Sequence, residues 1–236
     1  MTELNFPVIG YMRSPYVEKF GIPRQPNLVD IESYIEMVEP YDDLQAFDGI
    51  EEFSHLWLLW QFHENKSKQQ NHFRAQVRPP RLGGNKKIGV FASRSMYRPS
   101  PIGLSVVKIK AIKQVEKKVR VYVNGSDLLD GTPILDIKPY IRYSDSIPDA
   151  ISSYAELTPA KKKIIWTEQA VLQRDELLKT NKISRQILNE LEELIALDPK
   201  PAYQNDENRV YGLSFSNVNI KFRSSDIIYI DSLMFI

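Results

Sequence analysis

Punctuation most constrains this chain: from Phe6 to about Ile147, short apolar segments are interrupted every few residues by proline, glycine or aspartate. "FPVIGYM" runs into the proline-broken "RSPYVEKFGIPRQPN", and "LVDIESYIEMV" then alternates as a half-buried strand does. "FSHLWLLWQFH", set between "FDGIEE" and "ENKSKQQN", has the length and aromatic content of a buried strand rather than a helix. "KIGVFAS", "LSVVKIKAIKQ" and "KVRVYVNGSDLLDG" complete the series. Many short strands at close spacing, with few long helical periods, point to a barrel or sandwich and away from a doubly wound sheet.

The pattern changes after "YSDSIPDAIS". "TPAKKKIIWTEQAVLQRDELLK" and "SRQILNELEELIALDPKP" place apolar residues at helical spacing, with Ile187, Leu188, Leu191, Leu194 and Ile195 on one stripe. Ser184 is the expected N-cap, and Pro199 stops the helix. "VYGLSFSNVNIKFRSSDIIYIDSL" returns to alternation. The expectation is a mainly β chain, with a β-rich domain over residues 1–150 and a smaller α+β domain over residues 151–236.

A chain of 236 residues can bury a core without staples, and zero cysteines exclude disulfides and thiol chemistry. The N-terminus lacks a signal-peptide pattern and no apolar run reaches about 18 residues, so a cytoplasmic protein without a membrane span is expected. A net charge of +1 means that any polyanion must be met by a local patch.

One stretch concentrates binding chemistry: "GVFASRSMYRPSPIGLSVVKI", Gly89 to Ile109. Arg94 and Arg98 stand four residues apart, while Pro99 and Pro101 stiffen the segment that follows. Gly103 permits a special backbone angle or the close approach of another group. Guanidinium forks on such a loop suit a carboxylate or phosphate. They equally suit pairing with acids on neighbouring strands, and spacing alone leaves both readings open.

Other candidates are the "NGSDLLDGTPILDIKPYIRYSDS" stretch with Asp127, Asp130 and Asp136, the stiffened "GIPRQPN" loop, and His63 with Glu64 after the aromatic strand. Aspartates at turns usually cap their own backbone, and Asp130 beside Gly131 best fits a pure turn former. His55, His63 and His72 are too scattered for a zinc site, so no metal is expected. "LGGNKK" lacks the P-loop spacing.

Together, "GVFASRSMYRPSPIGLSVVKI", "DLLDGTPILDIKPYI" and "GIPRQPN" closely resemble the signature of the TsaA-like family, and "DPKPAYQ" and "VYGL" resemble the C-terminal extension of its longer members. Ser100 stands where the family commonly has asparagine. The resemblance implies a small antiparallel β-barrel, followed here by the α+β extension. It implies a homodimer with S-adenosyl-L-methionine near the subunit contact, and N6-methylation of threonylcarbamoyladenosine beside the tRNA anticodon.

Carried onto this sequence, the cofactor contacts would be Pro23, Arg24, Gln25, His63, Glu64, Arg94, Leu104, Asp127, Leu128, Leu129 and Asp130. Arg98 would read the substrate carboxylate. Phosphates would meet "RPPRLGGNKK" (Arg78, Arg81, Lys86, Lys87) or Lys161 to Lys163, although charged runs are usually only solvated faces. The resemblance names no general base; Glu64 and Asp130 are the candidates. Two rivals are a non-catalytic module that binds modified tRNA or a nucleotide, and a methyltransferase acting on a small molecule or protein.

Overall fold

The computed structural model describes residues 5–65, 73–201, 204 and 206–236. Its first strands are β1 (Gly10–Arg13), β2 (Glu32–Met37) and β3 (His55–Gln61). A short ribbon follows, β4 (Gln76–Val77) with β5 (Ile88–Gly89), and then β6 (Ile102–Val115), β7 (Lys118–Asn124) and β8 (Pro133–Pro139). Hydrogen-bonded neighbours run β1, β2, β7, β6, β3, β8 and back to β1, so these strands pair in a ring. Every pairing in it is antiparallel.

Period-two alternation fills the ring. In β3, Leu56, Leu58 and Trp60 turn inward, and they meet Val119, Val121 and Val123 of β7 and Met12, Ile35 and Ile134 in one apolar cluster. The "HLWLLW" run is therefore half inside: Trp57, on the outer face, sends its indole N–H to Asp145 Oδ2 at 2.9 Å. Gly103 serves close approach, with an ordinary backbone angle, since a Cβ there would lie 2.2 Å from the Trp60 ring.

Beyond a single turn of helix, α1 (Arg142–Asp145), comes a second sheet. It contains β9 (Lys163–Trp166), β10 (Val210–Phe215), β11 (Val218–Ser224) and β12 (Ile227–Phe235), in the order β10, β11, β12, β9. Against it lie α2 (Glu168–Lys179) and α3 (Arg185–Ala196). Ser184 caps α3 as expected, accepting from the Ile187 amide at 3.1 Å, and Leu188, Leu191, Leu194 and Ile195 are buried.

The helical reading of "TPAKKKIIW" is corrected. Lys163–Trp166 is a strand parallel to β12, and α2 starts only after Thr167, whose hydroxyl caps the Ala170 amide. Two adjacent β-branched isoleucines favour the extended backbone, and pairing with β12 packs Ile164 against the second core. That core also takes Tyr16, Val29 and Ile31 from the long β1–β2 connection. The connection is thereby fixed between the ring and the second sheet.

Candidate functional site

Three separate segments converge at one end of the ring, each held by bonds its own sequence supplies. The "GIPRQPN" loop starts at Gly21, whose φ of +92° keeps the backbone against Leu213, and Pro23 is buried. It ends at Asn27, with a backbone N–H to Gly125 O and side-chain Nδ2 to Val106 O, both at 2.9 Å. Gly125 has φ +79°, and a Cβ on it would sit 2.4 Å from Asn27 Oδ1. This pins the first loop to the turn after β7.

The arginine loop closes on itself. Ser93 Oγ accepts from the Ser95 amide at 3.3 Å, and Arg98 Nη1 donates to the Ser93 carbonyl at 3.0 Å. From the end of β3, Asn65 Nδ2 donates to Met96 O at 2.9 Å, while the Glu64 carbonyl accepts from Lys19 Nζ. So fastened, the loop projects Arg94 towards the first loop, where Nη1 donates to Gln25 Oε1 at 2.5 Å. Among the described residues neither Arg94 nor Arg98 forms an ion pair. The reading in which both pair with acids on neighbouring strands fails there, and the Arg94 charge is held by a neutral amide.

The third segment brings the carboxyl. Asp127 Oδ1 accepts from Ser105 Oγ at 2.6 Å, and Ser105 Oγ in turn accepts from Trp60 Nε1 at 3.0 Å. Burial pushes the Asp127 carboxyl up to about 6, against the opposing pull of the Ser105 hydrogen bond and the Arg94 charge. Asp130 behaves as a turn former: its Oδ1 accepts from the Ser14 amide at 3.0 Å. Leu128 is fully buried in the first core, its carbonyl accepting from Ser14 Oγ at 2.8 Å. Leu129 is half-buried and its carbonyl accepts from Thr132 Oγ1 at 2.7 Å.

Arg24, Gln25, His63, Glu64, Arg94, Leu104 and Asp127 thus belong to segments brought together. Leu104 faces outward on β6 and is 52% exposed, an apolar side chain left open beside the loops. Arg24 reaches the other way, giving Nη2 to Lys200 O at 3.3 Å. Its guanidinium is desolvated there, which lowers its pKa from the ordinary value, with Asp198 acting in the opposite sense. Spacing did not disclose Ser105 or Trp60. The available signal was a serine at an inward position of β6, between the buried Gly103 and Val107.

The charged runs separate. Lys86 and Lys87 are exposed on the β4–β5 connection, whereas Lys161 pairs with Glu193 at 2.6 Å and Lys162 with Asp198 at 2.8 Å. Two of the three lysines in that triplet are structural. His72, Ala202 and Tyr203 lie outside the described residues. Among the described residues no metal-ligating cluster forms, and no helix is long and apolar enough to cross a membrane.

The model of the tRNA-methyltransferase O N-terminal domain matches residues 11–146, and that of the TrmO C-terminal domain matches residues 159–232. A protein of Escherichia coli K12 named tRNA (adenine(37)-N6)-methyltransferase is 40% identical over 229 residues, 96% of this chain and 95% of that protein. A Pseudomonas aeruginosa protein named putative S-adenosylmethionine-dependent methyltransferase RcsF is 41% identical over 214 residues, 90% of this chain and 89% of its own length. A crystal structure of TrmO from Pseudomonas aeruginosa superposes with a TM-score of 0.78 at 32% identity, covering 99% of each chain. With both family domains matched in order and the loops of one site drawn from the first, the chain belongs to the tRNA-methyltransferase O family.

Proposed function

We propose that this protein is an S-adenosyl-L-methionine-dependent methyltransferase that methylates N6 of threonylcarbamoyladenosine next to the tRNA anticodon. The observation that carries the reading is an arginine without an acidic partner among the described residues, Arg94, placed where its charge acts on a largely buried carboxyl, Asp127, at one end of the ring. The relatives' names support N6 of a tRNA adenine as acceptor and S-adenosylmethionine as donor. We read the ring as the family's small barrel, residues 1–150 as the cofactor domain and residues 151–236 as the extension.

The donor set fits the cofactor. Arg94 clamps a carboxylate, Asp127 accepts from an ammonium or a ribose hydroxyl, and Leu104 supplies an apolar wall beside them. Pro23, Gln25, His63, Glu64 and the backbone of residues 127–130 complete the surround. Bound there, the cofactor supplies a methyl group on a sulfonium for in-line displacement. The protein's part is to hold the accepting nitrogen at attack distance and orientation. Asp130 is committed to Ser14, which leaves Glu64 as the candidate for taking the N6 proton.

Methyl incorporation into tRNA, with and without the threonylcarbamoyl group, tests the reading alongside calorimetry with the cofactor. Transfer only to the threonylcarbamoyl tRNA is expected. Cofactor binding without transfer would favour the non-catalytic module, and transfer to other acceptors would favour the second rival. We also propose a homodimer, supported by the exposed Tyr143, Ile147, Ile151 and Leu157, which are 67–92% accessible. Light scattering at micromolar concentration is expected to give twice the chain mass; a monomer that still binds the cofactor tightly rejects an interface site.

A further inference from the structure

Charge is sharply segregated in a chain that carries 31 Lys and Arg against 30 Asp and Glu. Between Glu64 and Glu116 stand twelve lysines and arginines and no acidic residue. The β4–β5 ribbon lies in this stretch, with Gln76 opposite Gly89 and Val77 opposite Ile88, and it presents exposed Arg74, Arg78, Lys86 and Lys87. At its root the Val90 amide donates to Ala75 O at 2.9 Å, which brings residues 73 and 91 side by side.

Those residues are both phenylalanines. Their rings stack with centroids 6.1 Å apart and 27° between planes, yet Phe73 is 62% exposed and Phe91 72%. Neither joins an apolar core. A stacked aromatic pair left in water among cations is the arrangement that unpaired bases and their phosphates recognise. Phe91 is also three residues from Arg94, across the tight turn Val90–Ala92 that Ser93 closes. A second copy of this chain fits the pair poorly, because a two-fold contact here would bring the cations Arg74, Arg78, Lys86 and Lys87 against their own copies.

We propose that Phe73 and Phe91 form a stacking platform for an unpaired base of the RNA loop that carries the target adenine. The inference rests on the tRNA reading above. Phosphates on either side of the base would run along Lys86, Lys87, Arg74 and Arg78.

The test uses the full-length protein and an anticodon stem–loop RNA carrying 2-aminopurine at one loop position at a time. Wild-type protein is expected to quench at least one position on binding. Phe91→Ala is expected to abolish that quench and weaken RNA binding about five- to hundredfold, leaving the slope of log affinity against log salt unchanged. Phe91→Trp is expected to restore both. Lys86→Ala with Lys87→Ala gives the opposite signature, a salt slope lower by up to about two units with the quench retained. Cofactor binding by calorimetry is expected to be unchanged in all variants, since none of these residues is among the proposed cofactor contacts. Wild-type RNA affinity and quench in Phe91→Ala overturn the proposal, as does a change in oligomeric state with RNA affinity intact. If wild-type protein binds no RNA and methylates no tRNA, the functional reading itself has failed.

Discussion

Arg94→Ala is expected to lower affinity for S-adenosyl-L-methionine tenfold or more. A charge-assisted hydrogen bond contributes about 1.5–3 kcal/mol, and roughly 1.4 kcal/mol is tenfold in binding. Folding is expected to survive, because Arg94 is exposed and its one hydrogen bond among the described residues goes to Gln25. Arg94→Lys separates charge from shape: it keeps a cation but loses the planar fork, so most of the loss persists if the carboxylate is held bidentately. Calorimetry checks both variants, with thermal denaturation as the folding control. Unchanged affinity in Arg94→Ala would return this arginine to a role in tying two loops together.

The variant has a second consequence through Asp127. Arg94 pulls down a carboxyl that burial pushes up, so removing the guanidinium lets Asp127 rise further. The affinity deficit of Arg94→Ala is therefore expected to widen as pH falls towards 6. A deficit independent of pH would mean that the two groups act separately.

What could be read beforehand follows from the range of each interaction. Strands of the ring were legible because inward and outward residues alternate within a few positions, as at Leu56, Leu58 and Trp60. The stripe of α3 and its Ser184 cap were legible for the same local reason. The strand Lys163–Trp166 was not, because what makes it a strand is its pairing with Ile227–Ile230, more than 60 residues away. Two isoleucines beside a helix-forming run read as the first turn of that helix.

At the site, the stiffened loops announced themselves through proline and arginine, and the turn through aspartate and glycine. Their mutual position did not. The bond from Arg94 to Gln25 spans 69 residues and that from Ser105 to Asp127 spans 22, and no spacing rule links either pair. Arg98 illustrates the limit from the other side. Its charge suits a substrate carboxylate, yet the fold turns Nη1 back onto Ser93 O, so that any role in reading substrate is shared with closing its own loop.

Asp127→Asn is expected to remove a pH dependence from both stability and cofactor binding. The carboxyl rises from its ordinary 3.8 to about 6 on folding, which corresponds to ~3 kcal/mol between the two protonation states. Below about pH 4 both folded and unfolded chains hold the proton, and burial of the neutral acid costs nothing extra. As pH rises towards 6 the unfolded chain releases its proton while the folded chain retains it. Stability from this group is therefore lost across that window and stays lost above it. Asparagine has no proton to release and still accepts from Ser105, so denaturant melts are expected to show the variant gaining up to ~3 kcal/mol on wild type between about pH 4 and 7. Cofactor binding runs the other way. An ammonium or ribose hydroxyl needs the ionised carboxylate, so wild-type affinity is expected to fall about tenfold per pH unit below 6, whereas the variant is weaker at pH 8 and nearly flat. The two binding curves then approach each other as pH falls. If they stay parallel, Asp127 does not meet the cofactor as a carboxylate; if the stability difference is also flat, its burial does not perturb its titration.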